Sequence, residues 1–352
     1  MAGPETPAPP EPIQGLQWIS LLGRGPQGQV WRALRLASRQ NVAVKLFRDD
    51  PRFRWEFDRV HPTGHPHLAT ILDANLTHRP AYVILPVYTG SLGALAAQQN
   101  FRGLEKLAFD WVTSLASALA ALHDARIFHC NIHPENILLD QEGSLRLADF
   151  EQTLWFGEKK RLLGSPLFMP PEQMHFDGQG RLMEQPSAAW DIYSLAASFY
   201  YVFSGQLARR QQEALASFGK DKNFSDLRCS LLATPFRSLH SLNANVPVGL
   251  ARCLDRCLSL NPAERYRSAE ELLESLSRAR GKSTSQSLVL RWAEERRATV
   301  GDVPVNPKVE RAVRVSFALL GLVLVLLLGL RLMAVLYLLI VVAQFYAKPS
   351  AE

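Results

Sequence analysis

Apolar positions change their rhythm once along the chain. The early stretches NVAVKLF and AYVILPV are short, β-branched and almost continuously apolar, which predicts buried strands. Later, LEKLAFDWVTSLASALAALHDA, AAWDIYSLAASFYYVF and SAEELLESLSRA repeat their apolar residues at helical spacing. Strands come first and helices follow, without the strand–helix alternation of a parallel sheet. This order predicts an α+β fold over residues 14–278, a small sheet-rich part followed by a larger helical part. Ahead of it, residues 1–13 are Pro-rich without an apolar run; they read as a disordered tail and exclude a secretory signal peptide. Residues 279–314 are polar, carry both charge signs and read as a linker with one short helix.

The end of the chain departs from this pattern. VSFALLGLVLVLLLGL (315–330), then Arg331, then LMAVLYLLIVVA (332–343) make an apolar stretch interrupted by one charge. A bilayer span takes roughly 20 apolar residues, and neither half comfortably supplies them. One transmembrane helix within 315–346, tilted or with Arg331 snorkelling, meets the length best. A re-entrant hairpin bending near Gly329 is the competing reading. Lys308, Arg311 and Arg314 precede the stretch and Lys348 follows it, so the large domain is expected in the cytosol. The expected topology is single-pass and tail-anchored in a membrane, with 347–352 a short terminal tail. An arginine at mid-bilayer calls for an acidic or carbonyl partner, which makes a membrane protein contacted through this segment an expected partner.

Composition narrows the picture without redirecting it. The 352 residues hold one large domain or two small ones plus tails. The formal charge of +6 is modest, and its Lys and Arg residues are scattered rather than clustered or interleaved with aromatics, which argues against a nucleic-acid partner. Four cysteines in a chain this long make no secreted disulfide framework. Cys253 and Cys257 stand one helical turn apart in ARCLDRCL and read as core thiols rather than a metal site.

Candidate chemistry lies in three ordered motifs. LLGRGPQGQVW carries Gly23, Gly25, Gly28 and Val30, a full G-x-G-x-x-G-x-V. Glycine-rich turns also occur in dinucleotide folds, so the motif is weak alone. It is followed by VAVK, which places Ala43 and Lys45 on the next strand. IFHCNIHPENILLD (127–140) contains Asn131, His133, Asn136 and Leu138; LADFEQT then contains Asp149. A carboxylate and an amide oxygen suit a hard cation such as Mg2+.

In this order the motifs resemble the eukaryotic-type Ser/Thr protein kinase family over residues 16–278. The resemblance implies a two-lobed fold, with a small β-rich lobe over about 14–86 and a larger helical lobe over about 87–278. It implies further that Lys45 binds the α- and β-phosphates of ATP and pairs with Glu56, and that Asn136 and Asp149 hold Mg2+. Val30, Ala43 and Leu138 would sandwich the adenine, and the segment Leu85–Tyr88 would meet its edge. GSPLFMPPE (164–172) resembles the substrate platform, with Ser165 where Thr usually stands. Asp191 matches the residue that braces the catalytic loop, and Arg265 the partner of Glu172.

The chain also departs from the family pattern. Asn131 stands where the family has its proton-accepting Asp, Cys130 where it has Arg, and His133 where a Lys steadies the transferring phosphate. Pro26 removes an N–H from the glycine loop, Pro86 removes one from the hinge, and Glu151 replaces the Gly after Asp149 and Phe150. The expectation is a membrane-anchored pseudokinase that binds ATP, with or without Mg2+, and signals through protein partners. A slow Ser/Thr kinase using Asn131 or Glu151 in unorthodox roles and a nucleotide-independent scaffold are the alternatives.

Overall fold

A computed structural model describes residues 9–25, 28–48, 64–98, 107–149, 154–155, 165–177, 182–209 and 224–281. Pro26, Glu56, Phe150, Glu151 and the apolar stretch 315–346 lie outside the described residues. Among the described residues no helix is long and apolar enough to cross a membrane.

Strands β1 (Leu16–Gly25), β2 (Gly28–Arg35), β3 (Gln40–Phe47), β4 (Asp73–Asn75) and β5 (Tyr82–Pro86) form one antiparallel sheet in the order β1-β2-β3-β5-β4. That order puts the Lys45 strand in the middle. Period-two alternation then sorts side chains between the faces. Trp31 pairs with Val44 and Ala33 with Val42, and these four join Ile13, Trp18, Leu21 and Ile84 in one apolar cluster. The opposite face carries Val30 paired with Lys45, and Ala43 paired with Leu85. Ile13 is 6% exposed, so the expected tail ends sooner than residue 13, where the chain begins to seal the sheet. Gly28 is needed for packing: a Cβ there would lie 1.9 Å from the Leu46 carbonyl oxygen.

The helical part is built around two long helices. In order along the chain stand α1 (Leu92–Ala97), α2 (Ala108–Asp124), α3 (Ala188–Ser204), α4 (Phe224–Ala233), α5 (Leu239–Leu242), α6 (Val248–Cys257) and α7 (269–281). Every residue of α3 from Trp190 to Tyr200 is buried. A helix apolar all round belongs in the middle of a core. Leu115, Leu119 and Leu122 of α2 pack with Ile192, Leu195 and Phe199 of α3 in that core. Truncating one such leucine to Ala typically costs about 2–5 kcal/mol. Gly205 stops α3 in a left-handed conformation (φ 68°), its N–H donating to the Tyr201 carbonyl. Cys253 and Cys257 are buried on α6, as core thiols should be, and burial raises both thiol pKa values.

Short strands carry the loops between sheet and helices. β6 (Gly90–Ser91), β8 (Ile137–Leu139) and β9 (Leu145–Leu147) form one ribbon, while β7 (Ile127–Phe128) pairs with β10 (Leu154–Trp155). Leu68 bridges to Leu147 and the Ala69 N–H donates to the Leu147 carbonyl (2.7 Å), so the chain leading into β4 is tied to β9. This register holds the loop between β7 and β8, and the residue after β9, in place.

Candidate functional site

The loop from His129 to Asn136 hangs from a single buried carboxylate. Asp191, 0% exposed on α3, accepts the N–H groups of His129 (2.9 Å) and Cys130 (2.8 Å) and the imidazole of His123 (2.9 Å). A buried carboxylate with three donors is satisfied, and it compensates for backbone strain nearby. Cys130 sits at φ 60°, a region that costs a non-glycine residue roughly 1–2 kcal/mol. The brace by Asp191 expected from sequence is therefore present.

His129 is buried beneath the loop. Its Nε2 lies 3.0 Å from the Ala148 carbonyl and its Nδ1 3.3 Å from the Asn131 N–H. Only the neutral tautomer with the proton on Nε2 serves both contacts. Burial lowers its pKa, against the opposing pull of Asp191. The Asn131 side-chain oxygen accepts the Ser165 N–H (3.3 Å), and its backbone carbonyl accepts from the Asn136 amide (2.9 Å). An N–H can only donate, so oxygen faces Ser165 and the NH2 group of Asn131 points elsewhere. His133 stacks on Phe168, with ring centroids 6.3 Å apart and planes at 23°. Burial pushes the His133 pKa down to about 4, helped by His129 and opposed by Asp149, and the ring is neutral at pH 7.

Across from this loop, Lys45 forms an ion pair with Asp149, both side chains largely buried. Asp149 follows β9 with φ 74°, a conformation that Asp tolerates better than most residues. Sheet register brings Val30, Ala43 and Lys45 to one face, and Leu138 stands on β8. Leu22 shares their side of the sheet. Leu21 pairs with Trp31 on the sealed face, and an irregularity in β1 between Leu21 and Gly23 presents Leu22 outward, 48% exposed. Sequence reasoning passed over Leu22, although a leucine directly before the first glycine is the available signal. Leu85 and Tyr88 both pack against the helical core. The Tyr88 hydroxyl accepts the Thr70 N–H (3.3 Å), so of Tyr88 only the backbone is left to face an adenine edge.

The platform is anchored at its far end. Arg265, fully buried, donates to both oxygens of Glu172 (2.5 and 3.0 Å) and to the Ala189 carbonyl (2.9 Å), and lies over the Tyr193 ring. Such bidentate pairs are the stronger ion pairs, and burial demands one here. Gln173, also fully buried, donates to the Cys130 carbonyl (2.7 Å). No sequence signal marked Gln173, since a single glutamine has no pattern of its own.

The model of the protein kinase domain matches residues 16–276. The serine/threonine-protein kinase PknK of Mycobacterium bovis is 28% identical over 285 residues, covering 74% of this chain and 23% of its own length. PkaB of Streptomyces coelicolor is 27% identical over 271 residues, 71% of this chain and 60% of its own. For PrkC of Bacillus subtilis the figures are 23% over 269 residues, 73% and 39%. The chain thus spans a quarter to three-fifths of the length of these relatives. With the central Lys45 strand, the loop slung from Asp191 and the Glu172–Arg265 anchor all in place, the chain belongs to the protein kinase family.

Proposed function

We propose that the chain is a membrane-anchored, kinase-like signalling domain that binds ATP and acts through conformation and protein partners, with phosphotransfer lost or very weak. The observation that carries this reading is the chemistry of Asn131. Its oxygen is taken by the Ser165 N–H, and what remains is an NH2 donor. An amide cannot take a proton from a hydroxyl, and losing a general base typically lowers the rate by about 10²–10⁴. His133, neutral and stacked on Phe168, supplies no cation where charge would develop.

The nucleotide-binding half supports the other part of the reading. Lys45 is the cation for the α- and β-phosphates. Among the described residues, a Cβ at Gly23 or Gly25 would meet nothing within 4 Å. Packing therefore does not require glycine at these positions, whereas close approach of a phosphate does. Leu22, Val30 and Ala43 from the sheet and Leu138 from β8 form the adenine slot, and the backbone of Leu85–Tyr88 meets its edge. The donor set fits magnesium: Asn136 spends its NH2 on the Asn131 carbonyl and keeps its amide oxygen, and Asp149 adds a carboxylate. Magnesium, when bound, neutralises phosphate charge; the remaining ligands are phosphates and water.

A second reading, a slow Ser/Thr kinase, is favoured by the names of the relatives and by the intact brace and platform anchor. Membrane anchorage rests on the apolar stretch 315–343 and the basic residues ahead of it. The same experiment separates the readings. The full-length chain is unfolded thermally with and without ATP, each with Mg2+ or EDTA, while transfer of labelled γ-phosphate is followed. At a hundred times its dissociation constant, ATP adds about 2.7 kcal/mol of stability. Stabilisation without transfer, lost in Lys45→Ala, is the expected result. Transfer that disappears in Lys45→Ala gives the slow kinase, and neither effect leaves a scaffold.

A further inference from the structure

The match to the kinase domain begins at residue 16, and the residues ahead of it follow a pattern of their own. Prolines stand at positions 7, 9, 10 and 12, so Pro7 with Pro10 and Pro9 with Pro12 each make a P-x-x-P spacing. Proline holds φ at about −65° and favours the extended, left-handed polyproline helix. That helix has no internal hydrogen bonds, so its carbonyls take donors from outside it.

The chain folds this segment back over the sheet. Gln14 and Gly15 make a turn, with Gly15 in the left-handed region at φ 83°. The Leu16 N–H donates to the Ile13 carbonyl (3.0 Å) and the Leu36 N–H to the Gly15 carbonyl (2.9 Å), which fixes the turn to the sheet. Ile13 is buried in the apolar cluster of the sealed face, and Pro10 is half-buried. Between Pro10 and Pro12, the Glu11 carbonyl accepts the indole N–H of Trp18 (3.3 Å). Trp31 lies beside Trp18, with ring centroids 6.2 Å apart and planes at 60°. The Trp31 N–H is spent on the Gln29 side chain (2.9 Å), so of these two indoles Trp18 serves the segment. P-x-x-P segments dock in aromatic-lined grooves, which exploit their preformed extended shape. An indole suits that task because it offers a large apolar body together with one donor.

We propose that Trp18 and Trp31 form a binding site for an extended Pro-rich peptide, occupied by this chain's own Pro-rich segment ending at Ile13. Once that segment is removed, the same site takes a Pro-rich peptide from outside. The site stands on the opposite face of β1 from Leu22, so it is separate from the proposed adenine slot. The inference rests on neither ATP binding nor membrane anchorage.

Fluorescence anisotropy tests it with a labelled synthetic peptide, MAGPETPAPPEP, on the full-length chain and on the same chain lacking residues 1–12. The shortened chain should bind the peptide saturably. Binding to the full-length chain should be at least about tenfold weaker, because the tether holds the chain's own segment at a millimolar effective concentration. Trp18→Phe keeps an aromatic body and loses the donor, and in the shortened chain it should weaken binding about fivefold. A peptide with its prolines changed to alanine should bind at least about tenfold more weakly, since it loses the preformed helix. The full-length chain gives a second readout that does not need the shortened form to fold. A bimane dye on Ala8→Cys, in a Cys229→Ser background whose other thiols are buried, should be quenched by Trp18 and brighten in Trp18→Phe. No binding to the shortened chain, equal binding to both forms, or binding that survives the loss of the prolines overturns the proposal. So does bimane emission that is the same with Trp18 and with Trp18→Phe.

Discussion

The two ends of one short loop have been put to different uses. At the Asn136 end, the neighbouring groups are an ion pair, Lys45 with Asp149, and an amide that has spent only its NH2. At the Cys130 end, side chains are neutral and committed to contacts inside the protein: an apolar cluster, a hydrogen bond to Ser165 and a ring stack. Charged groups that can exchange a protein partner for a ligand are retained where a nucleotide would sit. On the proposed reading, the groups that would have to act on a second substrate serve packing instead. The shape of the loop depends on Asp191 and not on the residues that depart from the family pattern, so the proposed loss of phosphotransfer is compatible with an intact loop.

Removing that shared support separates the two ends most forcefully. Asp191→Ala leaves the N–H groups of His129 and Cys130 and the His123 ring facing an emptied, buried site. Breaking a buried charged network by deleting one partner typically costs about 3–5 kcal/mol. Urea unfolding should show a loss of that size, together with loss of any ATP-induced stabilisation. A change below roughly 0.5 kcal/mol, within the range of ordinary surface substitutions, would mean that the loop is held by something else.

The next largest effect comes from returning the departed residues. In Asn131→Asp with His133→Lys, a carboxylate regains the acceptor position and a cation replaces the stacked ring. The carboxylate can still take the Ser165 N–H. If the fold is otherwise that of a working kinase, γ-phosphate transfer should rise on the order of 10²-fold or more. Lys45→Ala added to this pair should abolish the gain. A double variant that binds ATP and remains inert would place the defect elsewhere in the site, and the contrast between the loop's two ends would lose its meaning.

Much of this was legible in the sequence, unevenly. The strand Gln40–Phe47 and the helix Ala188–Ser204 could be read directly, because a central strand and a central helix are rich in apolar residues. Lys45, Asn136, Asp149, Asp191 and the pair Glu172–Arg265 were singled out through the resemblance to the protein kinase family, and the structure pairs Lys45 with Asp149, hangs the loop from Asp191 and joins Glu172 to Arg265. Leu22, Gln173 and the stack of His133 on Phe168 were not singled out. Each depends on a meeting of segments distant in the chain, or on a local irregularity of β1, and neither leaves a periodic trace. Tyr88 shows the same limit from the other direction. Its position in the hinge could be read, but the direction of its side chain, set by Thr70, could not.

The smallest effect is also the most specific to the packed end. The pKa of His133 is depressed to about 4, chiefly by burial, and His129 is lowered by burial as well. For a group whose folded pKa lies below its unfolded one, the unfolded chain binds the proton first as pH falls. Stability is therefore complete above the ordinary histidine value and declines as pH drops from about 6.5 toward 4. One such proton contributes at most roughly 1.4 kcal/mol per pH unit. His133→Phe keeps the ring and removes the titrating group, so its stability should fall less steeply between pH 7 and pH 5, with His129 and His65, both lowered by burial, still contributing to the remaining slope. Nothing comparable is expected from Asn131→Gln, which adds no proton-binding group. Equal slopes in the wild type and His133→Phe would show that the imidazole is free to charge in the folded chain, and a ring free to charge is not the one stacked against Phe168.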